Sequence, residues 1–132
     1  MITGFDHLAI TCADIDASLA FYQRVLGARL LYEDRWLAGD LPVAIVNVGA
    51  NNLSLHRASA PASPHAQDPT PGSVDLCFRW GGSVADAIEH LARNEVAIIE
   101  GPVPRQSSDG RPATSVYFRD LDGNLLEFLA VD

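Results

Sequence analysis

Four side chains of metal-ligand type, His7, His56, Asp75 and Glu127, fall at matching places in two similar stretches of a 132-residue chain. The first stretch runs FDHLAI, then DIDASLAFYQRVLG, then apolar segments ending in NNLSLH. The second runs SVDLCF, then SVADAIEHLARNEV, then segments ending in DGNLLEF. Laid on one another they put His7 opposite Asp75 and His56 opposite Glu127, in step to within a few residues. A long period present only twice points to an internally duplicated domain and not to a solenoid. Two imidazoles and two carboxylates suit a divalent cation such as Zn²⁺, Ni²⁺, Mn²⁺ or Fe²⁺, whereas Cu(I) and iron–sulfur chemistry call for thiolates. A cation with open positions polarises a small oxygenated substrate as a Lewis acid. One of the carboxylates, Glu127 or Asp75, could leave the ion to act as a base, or orient a histidine. The plain alternative is that each histidine is satisfied by solvent or hydrogen bonds.

Other side chains could complete such a site. Cys77 shares a strand face with Asp75, so a reactive thiol is conceivable, although a small buried residue is the simpler reading. Arg79, Arg105 and Arg111 could bind a substrate carboxylate or phosphate, against a default of solvation. Trp36 could line an entrance, Trp80 reads as packing, and His65 and His90 read as solvated surface.

The elements that must position these groups follow from periodicity. Leu8 and Ile10 alternate with His7, Ala9 and Thr11, the pattern of a half-buried strand. Asp14 or Asp16 caps a helix with an apolar stripe of Ala17, Ala20, Phe21 and Leu26, and Gly27 stops it. Strands are expected at 28–33, 42–49 and 53–56, with an irregular segment at 34–41 and a turn at Asn51-Asn52. Residues 58–72 carry four prolines and read as a linker. The order then repeats with strand 73–80, helix 83–94, a short strand near 96–100, and strands 113–119 and 124–130 around an Asp122-Gly123 turn. The loop 101–112, GPVPRQSSDGRP, is the expected lid. The fold class is thus α+β, one domain over 1–132 made of βαβββ modules at 1–57 and 73–132. In all four strands the candidate ligand lies away from the presumed helix-covered face, so a curled sheet would gather them in a cup.

The totals bound the partners. Hydrophobic residues are 48% and charged residues 20%, a globular balance. A net charge of −8 argues against nucleic acid and against an anionic membrane surface. No apolar run approaches the ~18 residues of a membrane span. The start, MITGFDHLAI, lacks a basic segment ahead of its apolar residues, and two cysteines are too few for a disulfide framework. A soluble, cytoplasmic domain is expected.

The pieces DHLAI, FYQRVLG and YFRDLDGNLLEF resemble the vicinal oxygen chelate superfamily, the glyoxalase, bleomycin-resistance and extradiol-dioxygenase group. The last closely matches that group's Phe-x-Asp-Pro-Asp-Gly-Asn-x-Ile-Glu signature, with Leu121 in place of proline. Within it, SVDLCF, EGPVPR and TSVYFRD look most like the group called glyoxalase domain-containing protein 5. The resemblance implies paired βαβββ units around one metal, with His7 and Glu127 matching first- and last-strand ligands and His56 a Glu or Gln position. Asp75 departs from the pattern, standing where most active members have His. A homodimer and a small-molecule substrate are implied as well. Three functions follow: a glyoxalase-like lyase or isomerase, an extradiol-type dioxygenase using His7, His56 and Glu127, or a metal-free drug-binding protein of the bleomycin-resistance type.

Overall fold

Alternating residues make the first strand, β1 (His7–Cys12), which buries Ile10 and Cys12 and exposes His7 and Ala9. The computed structural model describes all 132 residues and falls into two units, Met1–Gly72 and Ser73–Asp132. In unit 1, β1 is followed by α1 (Ile15–Leu26), β2 (Arg29–Leu31), α2 (Glu33–Leu37), β3 (Ala44–Val48) and β4 (Asn51–Arg57). Asp14 caps α1, its carboxylate accepting the Ala17 N–H at 3.1 Å, and Gly27 ends the helix with φ 62°. The helix buries Ile15, Leu19, Phe21, Tyr22 and Val25 over β3 and β4. Val46, Leu53 and Leu55 meet them from the sheet, each large aliphatic contributing about 2 kcal/mol by leaving water.

The four strands lie in the order β1-β4-β3-β2, with β1 and β4 parallel and the rest antiparallel. Two expectations change here. The segment 34–41 is not wholly irregular, since Glu33–Leu37 forms α2, entered through Tyr32 at φ 54°. Asn51 and Asn52 are not a turn either. The reversal is made at Gly49 (φ 57°) and Ala50, and both asparagines pair within β4.

Unit 2 contains β5 (Asp75–Trp80), α3 (Val84–Arg93), β6 (Glu100–Gln106), β7 (Pro112–Arg119) and β8 (Leu125–Val131), in the order β5-β8-β7-β6. Ser83 and Asp86 form a reciprocal capping box at the start of α3, with bonds of 3.1 and 2.9 Å. Ala87 and Leu91 of α3 are buried with Val116, Phe118, Leu126 and Phe128 of β7 and β8. Trp80 packs on Phe128 at 4.9 Å, as expected of a packing residue. His90, expected to be solvated, instead packs at a tilt against Trp80, 5.3 Å between ring centroids, because the short apolar stripe of α3 leaves the sheet's aromatic edge to cover.

The largest correction concerns 96–112. No strand forms at 96–99, and the presumed lid loop is mostly β6. Pro102 and Pro104 suggest a loop, yet β6 is an edge strand, where a missing N–H on the open side costs no ladder bond. Register shifts between Glu100 and Val103, and Gly101 sits in that bulge at φ 107°. Only 107–111 remains as a turn. Both sheets are mixed and each unit follows the βαβββ order, an α+β architecture as the pattern implies. No helix is long and apolar enough to cross a membrane.

Candidate functional site

Glu127 is placed by the turn that precedes β8. Asp120 folds its carboxylate over Asp122 and Asn124, accepting their N–H groups at 3.0 and 2.9 Å. The Asn124 side chain then accepts the Val74 N–H at 3.0 Å, which ties the start of β8 to the start of β5. Asn124 is fully buried and Asp120 nearly so. The DGN sequence is therefore a register device, and the register it sets puts Glu127 between Cys77 of β5 and Tyr117 of β7.

These three residues form one transverse row on the face turned away from α3. Glu127 is only 9% exposed. Arg105 of β6 donates through Nε to the Tyr117 phenol oxygen at 2.8 Å and lies over the Tyr117 ring, 5.3 Å from its centroid. A guanidinium can only donate, so the phenol oxygen is the acceptor there and its own O–H is free to serve Glu127, with which Tyr117 is hydrogen-bonded. Tyr117 was not singled out from sequence. It was legible in principle, because Tyr117 and Glu127 stand equally far from Asp122 across the hairpin.

Cys77 is exposed and not the small buried residue expected, because it lies on the outer strand of its sheet. Its thiol nevertheless lies against the Glu127 carboxylate. Desolvation, the charge of Glu127 and a hydrogen bond to it together push the thiol up to about 12. A thiol so held stays protonated at neutral pH and is a donor, not a nucleophile. Asp75, two residues earlier on the same face, is exposed. Arg111 lies in the 107–111 turn, where it meets Asp109 at 3.2 Å.

In unit 1, His7 is exposed and its Nδ1 lies 2.7 Å from Asp6. That bond occupies Nδ1 and leaves Nε2 as the open nitrogen, the arrangement in which a carboxylate orients a ligand histidine. His56 is partly buried, and its Nε2 is 3.3 Å from the Ser54 hydroxyl. Burial first, then the neighbouring His7 and His65, lower its pKa from 6.5, so the ring is neutral and fit for ligation at pH 7. His65 is exposed on its irregular segment but lies within electrostatic reach of His56. Trp36 of α2 stacks under Arg57, 5.2 Å from guanidinium carbon to ring centroid, one residue beyond His56.

Strand register revises the equivalence of the two halves. His7 pairs with Asn52, and His56 with Thr11, so the two histidines are displaced by four residues, about 13 Å of strand. Asp75 pairs with Leu125, and Glu127 with Cys77, a displacement of two residues, about 7 Å. The two units thus share a strand order, but the four side chains do not occupy strictly equivalent register positions. Within neither unit do three or more His, Cys, Asp or Glu side chains gather into a metal-holding set.

Comparison with known proteins agrees with this fold. The family model described as Glyoxalase/Bleomycin resistance protein/Dioxygenase superfamily matches residues 4–128. Glyoxalase domain-containing protein RDO1 of Mycosarcoma maydis is 37% identical over 126 residues, covering 96% of this chain and 67% of that protein. Virulence protein STM3117 of Salmonella typhimurium is 35% identical over 128 residues, covering 96% and 83%. Its crystal structure superimposes with a TM-score of 0.88, covering 100% of this chain and 99% of the other at 33% identity. Metallothiol transferase FosB of Staphylococcus haemolyticus is 31% identical over 128 residues, covering 96% and 83%.

Proposed function

The chain belongs to the glyoxalase/bleomycin resistance protein/dioxygenase superfamily, and from that premise we propose that it is a metal-dependent glyoxalase-like enzyme of lyase or isomerase type. Its two units act as one glyoxalase-like domain, and its substrate is a small oxygenated molecule. The observation that carries this reading is Glu127, a nearly buried carboxylate with a phenol and a thiol as hydrogen-bond partners and an arginine behind the phenol. Such burial of an acid is rare without a function or a close pairing.

The donors fit a divalent ion by chemical type. His7 presents Nε2, His56 is neutral, and Glu127 is an oxygen donor, each a type suited to Zn²⁺, Ni²⁺, Mn²⁺ or Fe²⁺, although neither unit by itself gathers three such groups. Asp75 stands beside Cys77 as the more solvated carboxylate, free to take a proton or to orient a ligand. His7, His56 and Glu127 would hold such a cation, which when bound would supply Lewis acidity toward a substrate oxygen. The chain's own groups do the rest. Tyr117 and Cys77 restrict the carboxylate of Glu127, and Arg105 keeps the phenol turned so that its proton points at that carboxylate. Cys77 remains a thiol and does not attack substrate. The name Metallothiol transferase borne by the FosB relative is in keeping with a metal-dependent reading. The placement beside glyoxalase domain-containing protein 5 rests on the quoted motifs alone, and the relatives above carry other names.

Metal analysis of protein purified without chelator tests the proposal. One equivalent of a divalent ion is expected in the native chain, with its loss in the H56A/E127A double variant. Full metal content in the double variant would sink the proposed ligand set. Metal-free protein that still binds small molecules regardless of chelator would turn the assignment toward a drug-binding role.

A further inference from the structure

We propose that the Asp109 side chain fills, from within the chain, a site for a small oxyanion, a carboxylate or phosphoryl group, built by Arg79 and Arg111 beside Glu127. The inference rests on the reading of this polar face as the substrate surface, and it names the substrate class as a small oxygenated acid. Asp109 Oδ1 accepts from Arg79 Nη2 at 2.9 Å and from the Ser107 hydroxyl, while Oδ2 accepts from Arg111 Nε at 3.2 Å. Each oxygen of one carboxylate is therefore met by a different guanidinium, charge-assisted donors of the kind that hold carboxylates and phosphates. The grip holds the Asp109 carboxyl down to about 2, chiefly through Ser107 and then Arg79.

Three features distinguish a displaceable occupant from a structural rivet. All three partners are about half exposed, so their pairing contributes little to stability and solvent anions reach it. The turn also keeps its frame without the carboxylate. Ser107 N–H donates to the Arg111 carbonyl at 2.9 Å, Arg111 N–H to Ser107 Oγ at 3.1 Å, and Gly110 N–H to the Ser107 carbonyl at 2.8 Å. Asp109 can swing out while 107–111 stays closed. Thirdly, Ser115 is 0% exposed and its hydroxyl has no hydrogen-bond partner. It belongs to the same transverse row as Arg79, through Leu129, and so marks spare polar capacity under that end of the face.

The adjacent row is Cys77–Glu127–Tyr117, two residues along each strand and about 7 Å away. An acid whose oxyanion replaced Asp109 would set its remaining oxygens toward Glu127. The composition points the same way. All nine basic residues are arginine, and Arg79, Arg105, Arg111 and Arg119 all belong to β5, β6, β7 or the β6–β7 turn in a chain of net charge −8. A tethered carboxylate competes at high effective concentration, so the resting chain binds free anions weakly, in proportion to the fraction with Asp109 withdrawn.

Titration of the full chain with inorganic phosphate, and separately with acetate, at low ionic strength and with chelator present, tests this without any metal. In the D109A variant phosphate is expected to bind about tenfold more tightly than in the native chain, about 1.4 kcal/mol. The gain should vanish when R79Q and R111Q are added. D109N, which keeps the shape and removes the charge, should show the same direction and serves if D109A folds poorly. Affinities for both phosphate and acetate that are equal in native, D109A and D109N protein overturn the site, as does a gain that survives loss of both arginines. Acetate binding without phosphate binding, or the reverse, identifies which oxyanion the arginines take. Failure of the metal test leaves this titration intact, so the two proposals fall separately.

Discussion

At the scale of single residues, burial and neighbouring charge act together, lowering the pKa of His56 and raising that of Cys77, and each shift has a measurable consequence. The lowered pKa of His56 means that the unfolded chain binds its proton more tightly than the folded one. Its contribution to stability is therefore present above pH 6.5 and declines as the pH falls below that value. Urea midpoints measured from pH 8 to pH 5 should fall more for the native chain than for H56Q; equal slopes would contradict the assigned cause. Cys77 is held as a thiol chiefly by desolvation and Glu127. Native protein should thus react slowly with a maleimide at pH 8. In E127Q the repulsive charge is gone, the thiol becomes more acidic, and labelling should be at least several-fold faster. Cys12 is fully buried and adds no background. An unchanged rate would mean that burial alone protects the sulfur.

At the scale of elements, strand and helix positions followed from periodicity and caps, because those signals are local. Asp14, Gly27 and the DGN turn act where the sequence shows them. The misses are equally instructive. Pro102 and Pro104 mark a loop by composition, and only the sheet order reveals that their strand is an edge. Asn51 and Asn52 have turn chemistry, yet Gly49 takes the positive φ first. The candidate site was half legible. Residue types picked out His7, His56, Glu127 and Asp75, whereas the four-residue and two-residue displacements depend on ladder register. Tyr117, an ordinary strand aromatic in sequence, acquires its role only through pairing. The bulge in β6 makes the sharpest prediction at this scale. A Cβ at Gly101 would stand 2.5 Å from the Ser115 carbonyl oxygen, at φ 107°. Gly101→Ala should destabilise by about 3 kcal/mol in denaturant titration. Gly27→Ala, at φ 62° with open space around it, should cost only about 1 kcal/mol. Equal losses at the two sites would show that strain, not crowding, governs both.

At the scale of the whole molecule, the exposed apolar side chains of Met1, Ile2, Phe5 and Leu8 run into and along β1, an edge strand. Exposed apolar edges invite a second chain. A homodimer by light scattering is the expected state, shifting to monomer in an F5E/L8E variant; a native monomer at micromolar concentration would refute it. The β1–β4 ladder has another consequence, one of timing. The first strand of unit 1 pairs only with the last, and β8 likewise closes on β5. During synthesis β1 has no partner until Arg57 has left the ribosome, so a local helix and two hairpin-linked strands must wait for the longest-range contact to close each sheet. The same first-to-last pairing makes each unit an all-or-none assembly, unable to hold its first strand while its last is still being made.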